Sequence, residues 1–430
     1  MFNQITGCEG LSQWMSVHNL TAASVDLDTF NIVNAIKVGV QANGDAALCD
    51  YTQQFDNVNL ESDQLKLSLS DIKAAYDEVD DAIIAALKNA AANIKEYHLK
   101  QRPSSWEDQT SERTYGVQYR PISAVGLYVP GGRAAYPSSV LMTAIPAAIA
   151  GCQRIVMVSP PTGGKIPPIV LVAADLAGVT EVIQVGGAQA VFALAYGTQT
   201  IQPVDKIVGP GNRFVTAAKQ MVYGTVDIDK PAGPSEVCVY IDSNDYSAYA
   251  AAEMWAQLEH DPDASAICIC ANEAIANSVN QHAQNQLPTL SRQDILNQSK
   301  QKGIIVLVSS RDQALQCINQ AASEHLVLLS QQSQALRKDV QHAGSIFCGP
   351  YTPVTLGDYY AGPNHVLPTA RSARFASPLG VMDFVKYSSY LEYSKTALKA
   401  AASDIDYITR AEGFDAHNNA VKVRLGDDKN

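Results

Sequence analysis

The chain has no apolar run as long as a membrane helix. Its longest, about Val140 to Cys152, is broken by Pro146 and falls short of the ~20 residues a span needs, so it reads as a buried helix. Cys-x-x-Cys pairs are also missing. Eight cysteines are scattered, and Cys268 and Cys270 alternate with Ile267 and Ile269 as along a buried strand, which argues against a thiolate zinc site and for free core thiols. Positive charge is in deficit. Against 43 Asp and Glu stand 31 Lys and Arg, a net charge of -12, whereas a nucleic-acid binder needs clustered cations to meet phosphates. The start, Met1-Phe2-Asn3-Gln4, lacks the basic residues and apolar core of a signal peptide, so a cytoplasmic location is expected, with neither membrane nor nucleic acid as partner.

What remains is the composition of a folded globular protein, 47% hydrophobic and 17% charged over 430 residues, enough for two or three domains. Residues 1–115 read as a mainly helical segment; between Asp80 and His98, Ile83, Leu87, Ala90, Ile94 and Tyr97 recur every three or four positions as one apolar stripe. From there to residue 232, short apolar runs (Ala124 to Val129, Ile155 to Val158, Val182 to Val185, Lys206 to Val208) alternate with Ala-rich helical stretches, the signature of βαβ units on a parallel sheet. A second such region spans 233–380, with strands at Val237 to Ile241, Ala266 to Cys270, Ile304 to Val308, Leu326 to Leu329 and Ser345 to Cys348. Residues 381–430 read as a helical tail, carrying Leu391, Leu398, Ile405 and Ile408, whose apolar face needs cover that a partner subunit can supply.

Three glycine-containing loops follow expected strands: Val129-Pro130-Gly131-Gly132, Val185-Gly186-Gly187-Ala188-Gln189 and Val208-Gly209-Pro210-Gly211-Asn212. Each permits close backbone approach to a phosphate, or is an ordinary tight turn; none matches Gly-x-Gly-x-x-Gly. Gln257 and His260, three apart at a helix end, can share a face and clamp a cation, or His260 can simply complement the helix dipole. Asp358 and His417 can complete a nitrogen-and-oxygen set, although their separation carries no spacing signal. Glu324 and His325 open a strand. A carboxylate beside an imidazole suits acid–base work near neutral pH, but strand neighbours face opposite ways, so joint action requires them to lie at the loop before the strand. His365 sits in the turn-rich Gly362-Pro363-Asn364-His365-Val366-Leu367-Pro368, where a fixed imidazole can meet a substrate or merely brace the loop.

In order, Gly126-Leu127-Tyr128-Val129-Pro130-Gly131-Gly132, Gly186-Gly187-Ala188-Gln189-Ala190, Gly209-Pro210-Gly211-Asn212, Pro231-Ala232-Gly233-Pro234-Ser235-Glu236, Glu259-His260-Asp261-Pro262-Asp263, Ser323-Glu324-His325-Leu326 and Gly362 to Pro368 resemble the motif series of the histidinol dehydrogenases. The resemblance covers nearly the whole chain. It implies an α/β fold with two incomplete Rossmann-like domains, a helical N-terminal segment and a helical C-terminal tail, in an intertwined homodimer. It implies oxidation of L-histidinol to L-histidine through the aldehyde, with two NAD and one water, in histidine biosynthesis.

By the same resemblance, Gln257, His260, Asp358 and His417 match the ligands of one zinc ion per subunit that anchors the substrate. His325 matches the general base of both oxidations and Glu324 the group that activates water. Ser235, His365 and Glu412 match substrate contacts, Tyr128, Gln189 and Asn212 match NAD contacts, and Glu412 and His417 would complete the partner's site. Two departures stand out: Lys230 where an apolar residue is expected, and Phe414 where leucine is usual. A related enzyme of the same fold acting on another primary alcohol, such as sulfopropanediol, is the alternative; the joint presence of Glu324, His365 and Glu412 favours histidinol.

Overall fold

The structure, a computed structural model, describes residues 1–18, 26–131, 135–231 and 233–426. Among them the strands in chain order are β1 (Asn3–Thr6), β2 (Trp106–Gln109), β3 (Arg113–Pro121), β4 (Ala124–Tyr128), β5 (Arg154–Val158), β6 (Glu181–Ile183), β7 (Lys206–Val208), β8 (Asp227–Ile228), β9 (Glu236–Ile241), β10 (Ser265–Cys270), β11 (Gly303–Leu307), β12 (His325–Leu329), β13 (Ser345–Cys348) and β14 (Val385–Tyr393). They fall in two compact units. One comprises Met1–Gln101 and Ile122–Phe384, the other Arg102–Pro121 and Val385–Asn430.

The larger unit holds two parallel sheets, ordered β6-β5-β4-β7-β8 and β1-β11-β10-β9-β12-β13. Their strands are near-continuous apolar runs because both faces are covered. In the first sheet Val125, Leu127, Ile155 and Met157 enter one core, while Tyr128, Val156, Val158 and Ile207 enter the opposite one. The second sheet divides likewise, with Val237, Val239 and Cys268 on one side and Cys238, Tyr240 and Ile267 on the other. The fold is thus α/β with two parallel sheets, as read from the alternation. Pro137–Ala150, which holds most of the longest apolar run, is a largely buried helix, and among the described residues no helix is long and apolar enough to cross a membrane.

Several local expectations are corrected. The N-terminal segment opens in β1, which extends the second sheet beside β11, anchored by Phe2 packing on Trp255. In the helix Asp81–Leu99 the buried face runs through Ile84, Ala90, Ile94 and His98, leaving Ile83 and Tyr97 exposed. The polar His98 turns inward because its Nδ1 meets the Ile94 carbonyl and its Nε2 the Asn364 amide. Leu391 lies in a strand. Cys8 and Cys317, expected as free thiols, form a disulfide between the helices Gly7–Val17 and Arg311–Ala321.

The smaller unit is an antiparallel sheet, β14-β3-β2, followed by the helices Lys395–Glu412 and Asp415–Leu425. It buries little of its apolar surface: Leu391 is 72% exposed, Tyr407 70% and Ile408 58%. No residue of Lys395–Glu412 is buried. Such a face wants a partner.

Candidate active site

The second sheet gathers its chemistry at the amino ends of β9 and β12, whereas ligands of open parallel sheets usually sit at carboxyl ends. Glu324 precedes β12 and His325 is its first residue, paired with Val237 of β9 on one side and Ser345 of β13 on the other. The backbone of Glu236 draws the two side chains together. Its N–H donates to Glu324 Oε2 at 2.9 Å, and its carbonyl accepts from His325 Nδ1 at 3.1 Å. Glu324 Oε2 lies 3.6 Å from His325 Nδ1. Across the strand pair Ser345 N–H donates to the Glu324 carbonyl, and a Cβ at Gly344 would come within 2.5 Å of that oxygen, so only glycine fits there.

A carbonyl can only accept, so His325 Nδ1 carries a proton and Nε2 is the basic position. Nε2 is buried, has no hydrogen-bond partner, and lies 3.7 Å from Asp358 Oδ1. Burial pulls the imidazole's pKa down, but the Glu324 charge and the contact with Asp358 outweigh it and raise His325 to about 9. Burial pushes the Glu324 carboxyl up; the His325 charge and bonds from Glu236 N–H and the Ser235 hydroxyl hold it back. Burial also acts to raise Asp358, yet His325 and the charges of His365 and His260 keep its carboxyl below the usual range. His365 Nδ1 donates to the Asp358 carbonyl at 2.9 Å, fixing the turn-rich loop against the helix Val354–Tyr359.

Gln257, in the last turn of Ser247–Leu258, and His260, just beyond it, line one cavity of about 90 Å³ with Asp358. His260 N–H donates to the Gln257 carbonyl, which continues the helical turn and keeps both on one side. Glu253, one turn earlier, lines the same cavity; burial raises it to about 7, opposed by the Val354 N–H it accepts. Sequence reading missed Glu253, although a carboxylate four residues before Gln257 on an otherwise apolar helix face was a signal. Glu412 and His417 belong to the smaller unit and are exposed; Phe414 packs on the His417 ring, centroids 5.1 Å apart. Among the described residues no cluster of three His, Cys, Asp or Glu is close enough to hold a metal ion.

The three glycine-bearing loops follow the carboxyl ends of β4, β6 and β7 in the first sheet. Tyr128 Oη accepts the Gly187 N–H at 3.0 Å, and Asn212 caps Arg213–Val222 by accepting from Phe214 and Val215 N–H. Gln189, in the first turn of Gly187–Tyr196, is buried with neither amide atom partnered. Gly132 and Ala232 of the quoted motifs lie outside the described residues. Gly209, at φ +118°, admits the Tyr128 carbonyl where a Cβ would stand 2.2 Å away. Lys219 and Asp229 grip its backbone, Lys219 on the carbonyl and Asp229 on the N–H, and pair with each other while fully buried.

Lys230 joins that network only through its backbone, its carbonyl accepting from Lys219 Nζ at 3.4 Å. Its Nζ is buried without a hydrogen-bond partner, and burial pulls the ammonium below its usual range. Lys230→Met, which restores an apolar side chain of similar length, is expected to stabilise the protein by about 1 kcal/mol and raise Tm by roughly 2 °C, read by calorimetry. A lower Tm would mean the ammonium has a partner after all.

The chain matches the family described as histidinol dehydrogenase over residues 21–425. A histidinol dehydrogenase of Oceanobacillus iheyensis is 44% identical over 97% of this chain and 98% of its own, and one of Bacillus anthracis is 48% identical over 92% of each. The crystal structure of a histidinol dehydrogenase from Elizabethkingia anophelis superposes with a TM-score of 0.92 at 34% identity, covering 99% of this chain and 98% of that one. With its two parallel sheets and its buried Glu324 and His325, this chain belongs to the histidinol dehydrogenase family.

Proposed function

We propose that this enzyme oxidises L-histidinol to L-histidine in two steps through L-histidinal, as the last reaction of histidine biosynthesis in the cytoplasm. The observation that carries the reading is the constellation at Glu236: one imidazole whose basic nitrogen has no hydrogen-bond partner and one carboxylate beside it, both buried. Conversion of a primary alcohol to a carboxylate needs two such groups. His325 Nε2 takes the hydroxyl proton as the first hydride leaves the carbon. An aldehyde has no hydride to give until it is hydrated, so Glu324 draws a proton from water as its oxygen adds to the carbonyl. Once its first proton has passed to solvent, His325 takes a hydroxyl proton of the hydrate as the second hydride leaves. In balance, one alcohol, one water and two NAD give one carboxylate, two NADH and three protons.

NAD, when bound, supplies the hydride acceptor. Gln189 fits such a ligand, because a buried amide with both atoms unpartnered is costly unless something bonds it; Tyr128 and Asn212 lie on the adjoining loops. Residues 116–232 would thus carry the cofactor and 233–380 the acid–base pair. Zinc, when bound, supplies an anchor for the substrate's nitrogens. Gln257 and Asp358 fit: Gln257 Nε2 is buried and unpartnered, a half-turn of that amide aims its oxygen instead, and Asp358 is a carboxylate held ionised. With His260 they form a nitrogen-and-oxygen set, and His417 of a second copy would complete it. Ser235, His365 and Glu412 complete the substrate contacts, with Glu412 also from the second copy. The exposed apolar face of the smaller unit supports a homodimer.

The test is stoichiometry. Two NADH should form per histidinol consumed, with turnover lost to a chelator and restored by zinc, and zinc content measured in parallel. A ratio of one would indicate an ordinary alcohol dehydrogenase and end the reading.

A further inference from the structure

Glu236 touches both Glu324 and His325 through its backbone, and its side chain is buried with them. That side chain has its own partner. Oε1 accepts the Ala370 N–H at 2.7 Å, and the neighbouring Gly233 N–H donates to Thr369 Oγ1 at 2.6 Å, so residues 233–236 are stitched to 369–370 at two points. The stitched loop needs holding. Ala370 and Arg371 both adopt left-handed backbone, φ +51° and +62°, a costly pair for residues with a Cβ. It also continues directly from the loop that carries His365.

We propose that Glu236 is the positioning residue of the acid–base pair: its carboxyl locks its own backbone to the 369–371 loop, and that backbone sets the Glu324 carboxylate and the His325 tautomer. The inference rests on the function proposed above. Every contact it uses lies on one short path, from Ala370 N–H through the Glu236 side chain to Glu236 N–H and C=O and so to both reacting groups. If the lock is lost, the peptide at 236 is free to shift. A shift of either peptide atom rotates Glu324 or releases His325 Nδ1, and misplacement on the order of 1 Å at such groups costs up to about a hundredfold in rate.

The side chain's protonation suits a lock better than a charge. Burial, and after it the Glu324 charge, raise the Glu236 carboxyl to about 8, so near neutrality it is mostly the uncharged acid. Glutamine is its close mimic in shape and in acceptor. Aspartate keeps the acid but draws it back by one carbon from Ala370.

The experiment compares Glu236→Gln and Glu236→Asp with the wild type in one assay of kcat, KM for histidinol and NADH formed per histidinol, with Tm measured for each. Glu236→Gln is expected to retain kcat within about threefold. Glu236→Asp is expected to lose about tenfold or more in kcat with a smaller change in KM, and to form fewer than two NADH per histidinol as aldehyde escapes. A purely structural role would lower Tm and leave kcat of the folded enzyme and the ratio of two intact, which overturns the inference. Glutamine as damaging as aspartate also overturns it, because an acceptor at full reach to Ala370 would then not suffice. The wild-type ratio separates the layers: a ratio of one removes the proposed function, whereas a ratio of two beside an unimpaired Glu236→Asp removes only the role of Glu236.

Discussion

His325→Asn is expected to lower kcat with histidinol by about a thousandfold, because it removes the base while keeping the scaffold. The asparagine amide can still donate to the Glu236 carbonyl, as Nδ1 does, but nothing replaces the basic Nε2. Both oxidations should fail, whether histidinol or histidinal is supplied. Glu324→Gln should behave differently. Its amide oxygen still accepts the Glu236 N–H, so His325 keeps its setting, while the carboxylate that takes the proton from water is gone. The first oxidation should survive and the hydration step slow by about a hundredfold, so that a first equivalent of NADH forms quickly and the second slowly.

The pH profile gives the same experiment a second reading. A base works only unprotonated, so the first oxidation should quicken as pH rises toward the His325 value of about 9. The Glu324 charge is the largest influence raising that value, so Glu324→Gln leaves the imidazole neutral at lower pH. Its acid limb for the first oxidation should move to lower pH. Equal loss of both steps, or an unmoved acid limb, would break the assigned division of labour.

The sheets were legible because doubly covered parallel strands are nearly all apolar and short. Lys206–Val208 and Ser345–Cys348 were placed to the residue, and the other strands expected in the two sheets to within two. What escaped notice was decided by distant partners. Asn3–Thr6 becomes a strand because β11 offers an edge, and Val385–Tyr393 because β3 does, neither of which local periodicity reports. His98 turned a helix face because Asn364 awaited it. The cysteine pair at 8 and 317 joins positions too far apart in sequence for spacing to suggest it.

The site divides in the same way. Glu324 and His325 as bare neighbours promised little, since strand neighbours diverge, and only the ordered motifs around them singled them out. Their convergence depends on Glu324 standing just ahead of β12 and on one residue of β9, Glu236, meeting both through its N–H and its carbonyl. Glu236 and Glu253 were overlooked for a related reason. A carboxylate in an apolar run looks like an outward-facing residue until burial shows otherwise, and burial is a property of the assembled sheet and helix.

The remaining large effect concerns where a complete site resides. If His325 acts with His417 of the other copy, then His325→Asn and His417→Ala are each inactive alone yet should complement when mixed. In a mixed dimer one site combines both defects, while the other combines an intact His325 with an intact His417. Random pairing makes half the dimers mixed and half their sites whole, so about a quarter of wild-type activity should return when the variants are unfolded and refolded together. Were each site built within one chain, every site in the mixture would carry one defect, and no activity would return. Because restored turnover can arise only from a site drawn from two chains, this outcome tests the exposed apolar face, the assignment of His417 and the homodimer at once.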